Sequence, residues 1–357
     1  MNFTSSNPLV SILIPCWGCR EYIADTIRSA VSQTYHPFEV VVVEDCGSDG
    51  TYEEALKFHD QRLRVFRNLV NKGQHGNKNH ALGLAHGQLI KYLDGDDLLE
   101  PHCVSTLVQC LKLGGSGVGI VFGRRYNIDK VGRRLGVSRR WGVAGRFNGM
   151  SVLDAISRKK EGSSFGNVSP HLLVREYLEK VNGFPQDNSD SGDMETFLKI
   201  SAISDAYFTE TIVAKYRSTP GGMGSRNFGL RMATDSMRSI EKLSEFLAEL
   251  PQVPVHLNDE RFLRDWKVSA ACHAILPSYQ RKLRGLSNQY AQIEEFYRSV
   301  GLGPDLAGFV RKNFAGFIVR TIMTKIRSFL GLPQHPPLFG KSDVDKLASS
   351  FQSCSDL

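Results

Sequence analysis

The stretch KYLDGDDL, from Lys91 to Leu98, places three carboxylates within four positions directly after an apolar run. Carboxylates so close together repel one another, which costs free energy unless a positive charge lies among them. The preceding run, QLIKYL (88–93), has the length and composition of a buried β-strand. We therefore expect the acidic cluster to lie in the loop after a strand. The nature of the positive group that neutralises it is then a guide to the function of the chain.

Strand and helix patterns alternate over the first 120 residues. Short apolar or β-branched runs predict strands at LVSILI (9–14), PFEVVVVED (37–45), RLRVFR (62–67) and QLIKYL (88–93). A helix is predicted over about 20–33, with others in TYEEALKFH, in NKNHALGLAHG and after Pro101. This alternation is typical of a doubly wound α/β sheet. Ligands bind beyond the carboxyl ends of such strands, so the loops after Ile14, Val43 and Leu93 are the expected site.

The chain is predicted to divide near residue 220. A second group of strands is expected from about 117 to 217, with one helix near 193–203. After Pro220-Gly221-Gly222 the patterns are helical. We therefore predict one domain over 1–220, with halves over about 8–122 and 123–220. An α-helical C-terminal extension is predicted over 221–357.

The composition is that of a globular protein whose basic residues are unevenly spread. The chain has 357 residues, of which 41% are apolar, and a formal net charge of +7. Between Gly123 and Arg146, eight basic residues accompany a single acid, Asp129. Such a run suits an anionic partner, which could be phosphate, a lipid headgroup, an acidic glycan or nucleic acid. A solvated loop without a partner is the alternative.

The sequence has no clear targeting signal, and its cysteines do not indicate a function. No apolar run approaches the roughly 18 residues of a membrane span, and the first residues lack the basic start of a signal peptide. We therefore expect a cytoplasmic protein. Cys16 and Cys19 form a CxxC pair of the kind used in redox chemistry, but reduced, partly buried thiols are the simpler interpretation of seven scattered cysteines.

The acidic stretch has the chemistry of a cation site. Side chains alternate along extended backbone, which places Asp94 and Asp96 on one side. Mg²⁺ takes one or two carboxylates and completes its shell with phosphate oxygens and water, and Mn²⁺ accepts the same ligands. Such a cation would neutralise charge on a diphosphate leaving group. A helix N-cap or a Ca²⁺-like turn is the alternative for this motif alone.

The other two loops carry residues suited to a nucleotide. Asp45 follows a predicted strand and can accept a hydrogen bond from a nucleobase imide or a ribose hydroxyl. Asp49 lies in a turn that caps the next helix, which makes a structural role the better interpretation. Trp17 offers a face for stacking on a base, although a lone tryptophan is often a packing residue.

Together these segments resemble a known family. VSILIPCW, VVVEDCGSDGT and NKGQHGNKNHALGLAHGQLIKYLDGDD, in this order, are similar to the motifs of the inverting family 2 glycosyltransferases of the GT-A fold, which contains a Rossmann-like doubly wound sheet. The resemblance is dense from residue 8 to about 112 and returns near 181–217. It implies that residues 8–122 form the nucleotide-binding half and residues 123–220 the acceptor half.

The resemblance also implies roles for single residues. Pro15 and Trp17 match positions that frame the base, and Asp45 matches the carboxylate that binds the uracil edge. Lys78 replaces an arginine that contacts the nucleotide. Asp94 and Asp96 match the acidic pair at the donor, with Asp96 as the expected metal ligand. The chain departs from the family pattern at Glu44, Cys46, Gly47 and Ala81. These departures leave the identity of the nucleotide less defined.

A catalytic base is expected in the second half. The resemblance aligns Asp193 with the carboxylate that takes the proton of the acceptor hydroxyl, while Gly192 replaces the usual Glu. Asp187 and Asp190 are rivals, and an N-cap role for Asp193 is the structural alternative. The glycine-rich segment 220–226 could close over the diphosphate, with Arg226 as a phosphate contact.

The resulting prediction is a metal-dependent, inverting transfer from a nucleotide-diphosphate sugar, a UDP-sugar, to a hydroxyl of a glycan or lipid-linked acceptor. The cofactor would be Mg²⁺ or Mn²⁺. The acidic turn, which is residues 94–97, and Asp193 must then share one cleft. A catalytically inactive relic that binds a nucleotide sugar or glycan is the alternative. A protein that binds nucleic acid or membrane through its basic run is another, but it leaves the acidic loop unexplained, so no nucleic-acid partner is expected.

The predicted helical tail suggests where the protein acts. The segment 309–331 carries five basic residues and no acid. It could lie on an anionic bilayer, at the inner face of the plasma membrane, where polyprenyl-linked acceptors reside. Packing against the catalytic domain is the alternative.

Overall fold

A computed structural model gives the fold and describes residues 7–157, 163–187, 191–218, 230–251, 253–254 and 257. All of these lie in the first of two compact units, Met1–Ala271 and Cys272–Leu357. The first half contains β1 (Val10–Cys16), α1 (Ile23–Val31), β2 (Phe38–Glu44), α2 (Thr51–Ala55), β3 (Leu63–Arg67), α3 (Gly73–Leu84), β4 (Leu89–Tyr92), β5 (Leu98–Leu99) and α4 (Cys103–Gly114). The second half contains β6 (Val118–Ile128), β7 (Arg134–Val137), β8 (Gly145–Phe147), α5 (Gly149–Ser157), a 3₁₀ turn (Ser163–Gly166), β9 (His171–Val174), α6 (Arg175–Lys180), α7 (Gly192–Ile203), β10 (Asp205–Arg217) and α8 (Leu230–Ala248).

The strands of the described residues form one mixed sheet. Its main order is β3-β2-β1-β4-β9-β6-β10-β5, with β7 paired to β6 and β8 paired to β10. Strands β3, β2, β1 and β4 are mutually parallel. β9 runs antiparallel between β4 and β6, whereas β6 and β10 are parallel to each other. The predicted α/β sheet is therefore confirmed, with one antiparallel strand inserted at its centre.

The central strands are apolar because both of their faces are covered. Alternate residues of a strand point to opposite faces of a sheet. Ile12 and Ile14 accordingly pack with α1 and α4 in one buried cluster, whereas Leu13 packs on the other side with Phe197 of α7. This accounts for the continuous apolar runs, since a strand buried on both faces has no polar alternation.

The helical prediction beyond residue 220 is described only in part. α8 is a helix, and its Leu243 and Leu247 are buried in the same cluster as Phe197 of α7. The boundary near 220 stays a prediction, and the segment 309–331 lies outside the described residues. Among the helices that are described, none combines the length and apolar character needed to cross a bilayer.

The topology assembles the site at one edge of the sheet. Cys16 at the end of β1 pairs with Glu44 at the end of β2, and Leu13 of β1 pairs with Tyr92 at the end of β4. Because these three strands are parallel, their following loops emerge on the same side. The loops expected to carry the site are therefore neighbours.

Candidate active site

Asp45 is held in place directly after β2. It is buried, and its Oδ1 accepts hydrogen bonds from Asn68 Nδ2 at 2.7 Å and from the backbone nitrogen of Lys72 at 2.8 Å. Asn71 adds a bond from its amide to the Asp45 carbonyl at 3.1 Å. Oδ2 of Asp45 accepts no hydrogen bond from another described residue. The carboxylate is thus fixed through one oxygen and can use the other for a ligand donor such as an imide N–H.

Trp17 presents an open aromatic face beside this loop. Its side chain is 61% exposed, although the residue directly follows β1. A Cβ built on Gly47 would lie 3.3 Å from Trp17 Cδ1, so the indole lies over the loop after β2. Pro15 pairs with Val43 in the register of β1 and β2, which brings the two loops together. An exposed ring above a polar loop is suited to stacking on a base.

Asp49 has the structural role predicted for it. Its Oδ1 accepts a hydrogen bond from the backbone nitrogen of Thr51 at 3.1 Å, and its Oδ2 accepts one from the backbone nitrogen of Arg20 at 3.1 Å. These bonds tie the start of α2 to the loop after β1. Asp49 therefore shapes the loop that carries Asp45.

Asp97, the last acid of the KYLDGDDL stretch, connects three segments through hydrogen bonds. It is completely buried, and its Oδ1 accepts a hydrogen bond from the backbone nitrogen of Arg217 at 2.8 Å. The hydroxyl of Ser169 donates to its Oδ2. Burial, followed by repulsion from Asp94 and Asp96, raises the pKa of Asp97 well above its usual value. Asp97 joins β10 and the segment before β9 to the acidic turn.

Two buried cations lie among the acidic residues. Nε of Arg217 donates to the carbonyl oxygen of Asp96 at 2.8 Å, and its guanidinium lies 4.7 Å from the centre of the Tyr22 ring. Nζ of Lys91 donates to the carbonyls of Tyr92 and Ser169. Burial lowers the pKa of Lys91, while nearby acids oppose this shift. Part of the acidic cluster is therefore neutralised from within the protein.

Asp96 remains open to an external cation. Its carboxylate forms no hydrogen bond or ion pair with another described side chain. Burial, followed by repulsion from Asp94, raises the pKa of Asp96 to about 6. A carboxylate in this position is stabilised by a bound cation, and its oxygens are the ligands that Mg²⁺ and Mn²⁺ prefer. The residue type and environment thus fit the predicted cofactor.

The protein would supply only part of the coordination shell. Within the described ranges, no group of three or more His, Cys, Asp or Glu side chains is arranged to hold a metal. Mg²⁺ commonly keeps several waters and binds through one or two carboxylates together with substrate phosphates. A cation at Asp96 would accordingly depend on a diphosphate for its remaining ligands.

Gly95 lets the acidic turn lie against the first loop. A Cβ at this position would lie 2.7 Å from Cys19 Sγ and 2.8 Å from Cys16 Cβ. Both cysteines are buried and free. The glycine between Asp94 and Asp96 is therefore required by close packing, and the two thiols act as packing groups beneath the turn.

Asp193 lies at the start of α7 and is paired with two groups from α3. Its Oδ1 accepts a hydrogen bond from Lys78 Nζ at 2.6 Å, and His75 Nε2 lies 3.5 Å from the same oxygen. Burial by itself would raise the pKa of Asp193, but the charge of Lys78 and contact with His75 hold it at about 2. Lys78, which the resemblance assigns to the nucleotide, is completely buried in this ion pair.

His75 was not among the residues singled out from the sequence. A Cβ on Gly192 would lie only 2.2 Å from His75 Cε1, so the imidazole occupies the space next to Gly192. The ring also stacks on Phe184, with 5.7 Å between centroids. The absence of the usual Glu at position 192 was the available signal, since a glycine beside the predicted base leaves room for another group.

Asp193 and the acidic turn belong to one electrostatic site. Burial raises the pKa of Asp94, while the charges of Lys78 and Asp193 act on it in opposite directions. The hydroxyl of Tyr92, at the end of β4, donates to the carbonyl of Lys78 at 3.1 Å. This bond holds α3 against the strand that leads into the acidic turn, so the two acidic groups face a shared edge of the sheet.

The remaining predicted residues are placed as follows. Asp187 forms an ion pair with Lys242 of α8 at 2.6 Å. Asp190 and Arg226 lie outside the described residues. Asn79, which follows Lys78 in α3, exchanges two hydrogen bonds with the backbone of Phe184, at 2.8 and 2.9 Å, and so positions the segment before α7; the resemblance matches it to a family Asn.

Comparison with known sequences agrees with this architecture. A sequence model described as glycosyl transferase family 2 matches residues 11–180. The chain is 28% identical over 197 residues to a chondroitin synthase of Escherichia coli, a match that spans 55% of this chain and 27% of that protein. It is 39% identical over 104 residues to the Escherichia coli UDP-Glc:alpha-D-GlcNAc-diphosphoundecaprenol beta-1,3-glucosyltransferase WfaP, spanning 29% of this chain and 41% of that protein. Each match spans less than half of the relative's length.

Comparison with solved structures establishes the fold. The structure of S. aureus TarS 1–349 in complex with UDP-GlcNAc is similar with a TM-score of 0.65 and 15% identity, over 96% of this chain and 91% of that one. The mannosyltransferase PcManGT from Pyrobaculum calidifontis, in complex with GDP-Man and Mn²⁺, is similar with a TM-score of 0.51 and 18% identity, over 88% and 89% of the two chains. Residues 11–180 of the chain therefore match the glycosyl transferase family 2 model, and the fold is that of the GT-A glycosyltransferases.

Proposed function

We propose that this chain transfers a sugar from a nucleotide-diphosphate donor, a UDP-sugar, to a hydroxyl acceptor with inversion at the anomeric carbon. The observation that carries the proposal is the shared site of Asp193 and the acidic turn. A buried carboxylate on one side and a cation-binding carboxylate on the other are the two groups that such a transfer requires.

The donor would bind across the loops after β1, β2 and β4. Asp45 would accept a hydrogen bond from the base through its free oxygen, and Trp17 would stack on the ring. Asp96, with Asp94 beside it, would hold Mg²⁺ or Mn²⁺ against the diphosphate, where the cation would neutralise charge on the leaving group. A family 2 relative named for UDP-Glc and a structural neighbour in complex with UDP-GlcNAc support a UDP-sugar.

Asp193 would act as the general base. The acceptor hydroxyl attacks the anomeric carbon while its proton passes to the Asp193 carboxylate, and the nucleoside diphosphate departs from the opposite face. The ion pair with Lys78 must loosen for this step, since a carboxylate with a pKa of about 2 is a weak base. We infer that the diphosphate attracts the Lys78 ammonium, which raises the pKa of Asp193 when the donor is bound.

The acceptor would be a glycan or a lipid-linked glycan. One relative is named for an acceptor built on diphosphoundecaprenol, and another is a chondroitin synthase. These names favour polysaccharide or lipid-linked glycan synthesis. The proposed location is the cytoplasm, with peripheral contact at the inner face of the plasma membrane through the basic segment 309–331. Arg226 remains a proposed phosphate contact.

Two substitutions separate the proposed roles. Asp193→Asn is expected to retain Mn²⁺-dependent UDP binding but to lose transfer by roughly 10²–10⁴-fold, because an amide cannot take the proton of the acceptor. Since this change also removes the charged partner of the buried Lys78, urea unfolding checks that the variant is folded. Asp96→Asn is expected to lose Mn²⁺-dependent UDP binding as well as transfer. Calorimetric titration and product analysis from a panel of nucleotide sugars measure both effects.

The matched control is Asp25→Asn, which alters an exposed acid paired with Arg28 outside the site. It should leave binding and transfer unchanged. If Asp96→Asn retains metal-dependent transfer, the assigned metal site is wrong. If the parent chain binds UDP with Mn²⁺ but transfers no sugar from any donor in the panel, the chain is the inactive relic.

A further inference from the structure

A basic hairpin projects from the sheet next to the site. We use the name basic hairpin for residues 126–143, which include the end of β6, the turn after it and all of β7. Every residue from 130 to 137 is exposed, including all four residues of β7. Three of its apolar side chains are strongly exposed, with Val131 at 60%, Leu135 at 63% and Val143 at 79%. A surface of this kind has a cost in water and is typical of an interaction site.

Basic residues are interspersed with these apolar residues along the chain. Arg133 is paired with Asp129 at 3.5 Å, and Arg140 is paired with Glu210. By contrast, Lys130, Arg134 and Arg139 form no ion pair with any described residue. Asp129 is the hairpin's one acid. The basic hairpin therefore combines an excess of positive charge with exposed apolar side chains.

This combination fits an anionic bilayer better than other partners. Aliphatic side chains can enter the boundary between headgroups and acyl chains, while Lys and Arg extend along it to reach lipid phosphates. A nucleic acid would use the cations but leave the aliphatic side chains in water. A second copy pairing along the edge of β7 is opposed by Arg134, because charged residues on an edge strand discourage strand addition.

The hairpin is also connected to the acidic turn. Nη1 of Arg217 donates to the carbonyl of Lys130, in the hairpin turn, at 3.0 Å, and Nε of the same side chain donates to the carbonyl of Asp96 at 2.8 Å. One guanidinium therefore bridges the tip region of the hairpin and the expected metal ligand. A membrane that contacts the hairpin would lie beside the site.

We propose that the basic hairpin is a docking surface for an anionic lipid bilayer. Val131, Leu135 and Val137 enter the interface, and the unpaired cations contact lipid phosphates. Docking there would present a lipid-linked acceptor to the edge of the sheet that carries Asp193. Only this last use depends on the proposed transfer activity, whereas the docking itself does not.

The test is co-sedimentation of the full chain with vesicles. Vesicles of phosphatidylcholine with phosphatidylglycerol are compared with vesicles of phosphatidylcholine alone, at low and high salt. Binding to the anionic vesicles should be stronger and should weaken with salt, because the cations supply attraction that salt screens. The double variants Lys130→Glu/Arg139→Glu and Val131→Ser/Leu135→Ser should each weaken binding roughly tenfold or more.

The matched control combines a partly exposed cation and an exposed apolar residue on α4, Lys112→Glu/Leu113→Ser, and should bind like the parent. Hairpin variants that bind vesicles as well as the parent would overturn the proposal, as would a parent that dimerises through the hairpin or prefers RNA to anionic vesicles at equal salt. Transfer to a soluble acceptor should survive in both hairpin variants. Loss of that reaction in the parent would refute the proposed function while leaving the vesicle result interpretable.

Discussion

At the scale of single residues, the site depends on a substitution at position 192. The resemblance leads one to expect Glu there, and the chain has Gly. Because Gly192 has no Cβ, the imidazole of His75 lies against its backbone and reaches Asp193. Asp193 therefore has two basic neighbours from α3, of which Lys78 is the closer. The local departure from the family pattern changes the surroundings of Asp193, the proposed base, while the carboxylate itself is kept.

This packing predicts a strong coupling between Gly192 and His75. Gly192→Ala places a Cβ within 2.2 Å of His75 Cε1, so the buried ring must move. The expected cost is about 1–3 kcal/mol in the free energy of unfolding. In a His75→Ala background the contacts with the ring are gone, while Pro185 Cγ, at 2.7 Å, still opposes the new Cβ, so the same glycine substitution should cost less. Urea unfolding of the two single variants and the double variant measures the coupling.

The control for this cycle is Gly83→Ala, also near a helix end. Gly83 is exposed in α3, and a Cβ there meets no atom within 4 Å. Alanine should stabilise the protein by up to about 1 kcal/mol, since it restricts the unfolded chain. An equal cost of Gly192→Ala with and without His75 would show that the ring does not occupy the space next to Gly192.

At the scale of secondary-structure elements, the acidic turn is held in its conformation by hydrogen bonds from segments distant in sequence. Asp97 receives one hydrogen bond from the hydroxyl of Ser169, before β9, and another from the backbone nitrogen of Arg217, at the end of β10. Thr26 of α1 donates to the carbonyls of Gly95 and Asp97 at 3.0 and 2.9 Å. The turn that presents Asp94 and Asp96 is thus held by elements on both of its sides.

Removal of the Asp97 carboxyl is expected to loosen this attachment. Asp97→Ala leaves two buried donors unpaired, at a cost of about 1–3 kcal/mol for each. Asp97→Asn should be tolerated far better, because its amide oxygen can still accept from Arg217 and the Ser169 hydroxyl can accept from its amide nitrogen. Urea unfolding measures both, with the exposed Asp25→Ala as the control expected to stay within about 0.5 kcal/mol of the parent. Equal damage from Asn and Ala would mean that the carboxyl's charge is required there.

At the scale of the whole molecule, the sheet brings opposite electrostatic environments to one edge. Burial and mutual repulsion raise the pKa of the carboxyl of Asp96, whereas Lys78 and His75 lower that of Asp193. One carboxylate is therefore poised to gain a cation, and the other is already paired. These differences arise because the acidic turn follows β4 while α3 and α7 meet at Asp193.

The raised pKa of Asp96 predicts how stability depends on pH. Its folded pKa is about 6, above the unfolded value of roughly 3.9, so the folded protein binds more protons between these values and stability from this group falls as pH rises through them. Without a divalent cation, Asp96→Asn should unfold at a higher temperature than the parent at pH 7, with the difference shrinking towards pH 4. With Mn²⁺ and UDP, the order at pH 7 should reverse. Thermal unfolding at each pH measures this, and an unchanged difference from pH 7 to pH 4 would contradict it.

The sequence by itself determined the parallel half of the sheet and the loops at its edge. Periodicity and turn residues are local signals, so they were sufficient to predict β1, β2 and β4 and to place Asp45 and Asp96 after their strands. The resemblance added Asp193. Helix ends were less well defined, since α1 spans Ile23–Val31 within a predicted range of about 20–33.

Only the tertiary structure decided which distant groups meet at the site. Lys78 and Asp193 are 115 positions apart, and Asp97 and Arg217 are 120 apart. Neither contact leaves a local signal, because each depends on which elements pack side by side. The antiparallel insertion of β9 and the room beside Gly192 for His75 are of the same kind. The chain's local patterns specified the strands and the acidic loops, and packing between halves of the domain specified how their charges are paired.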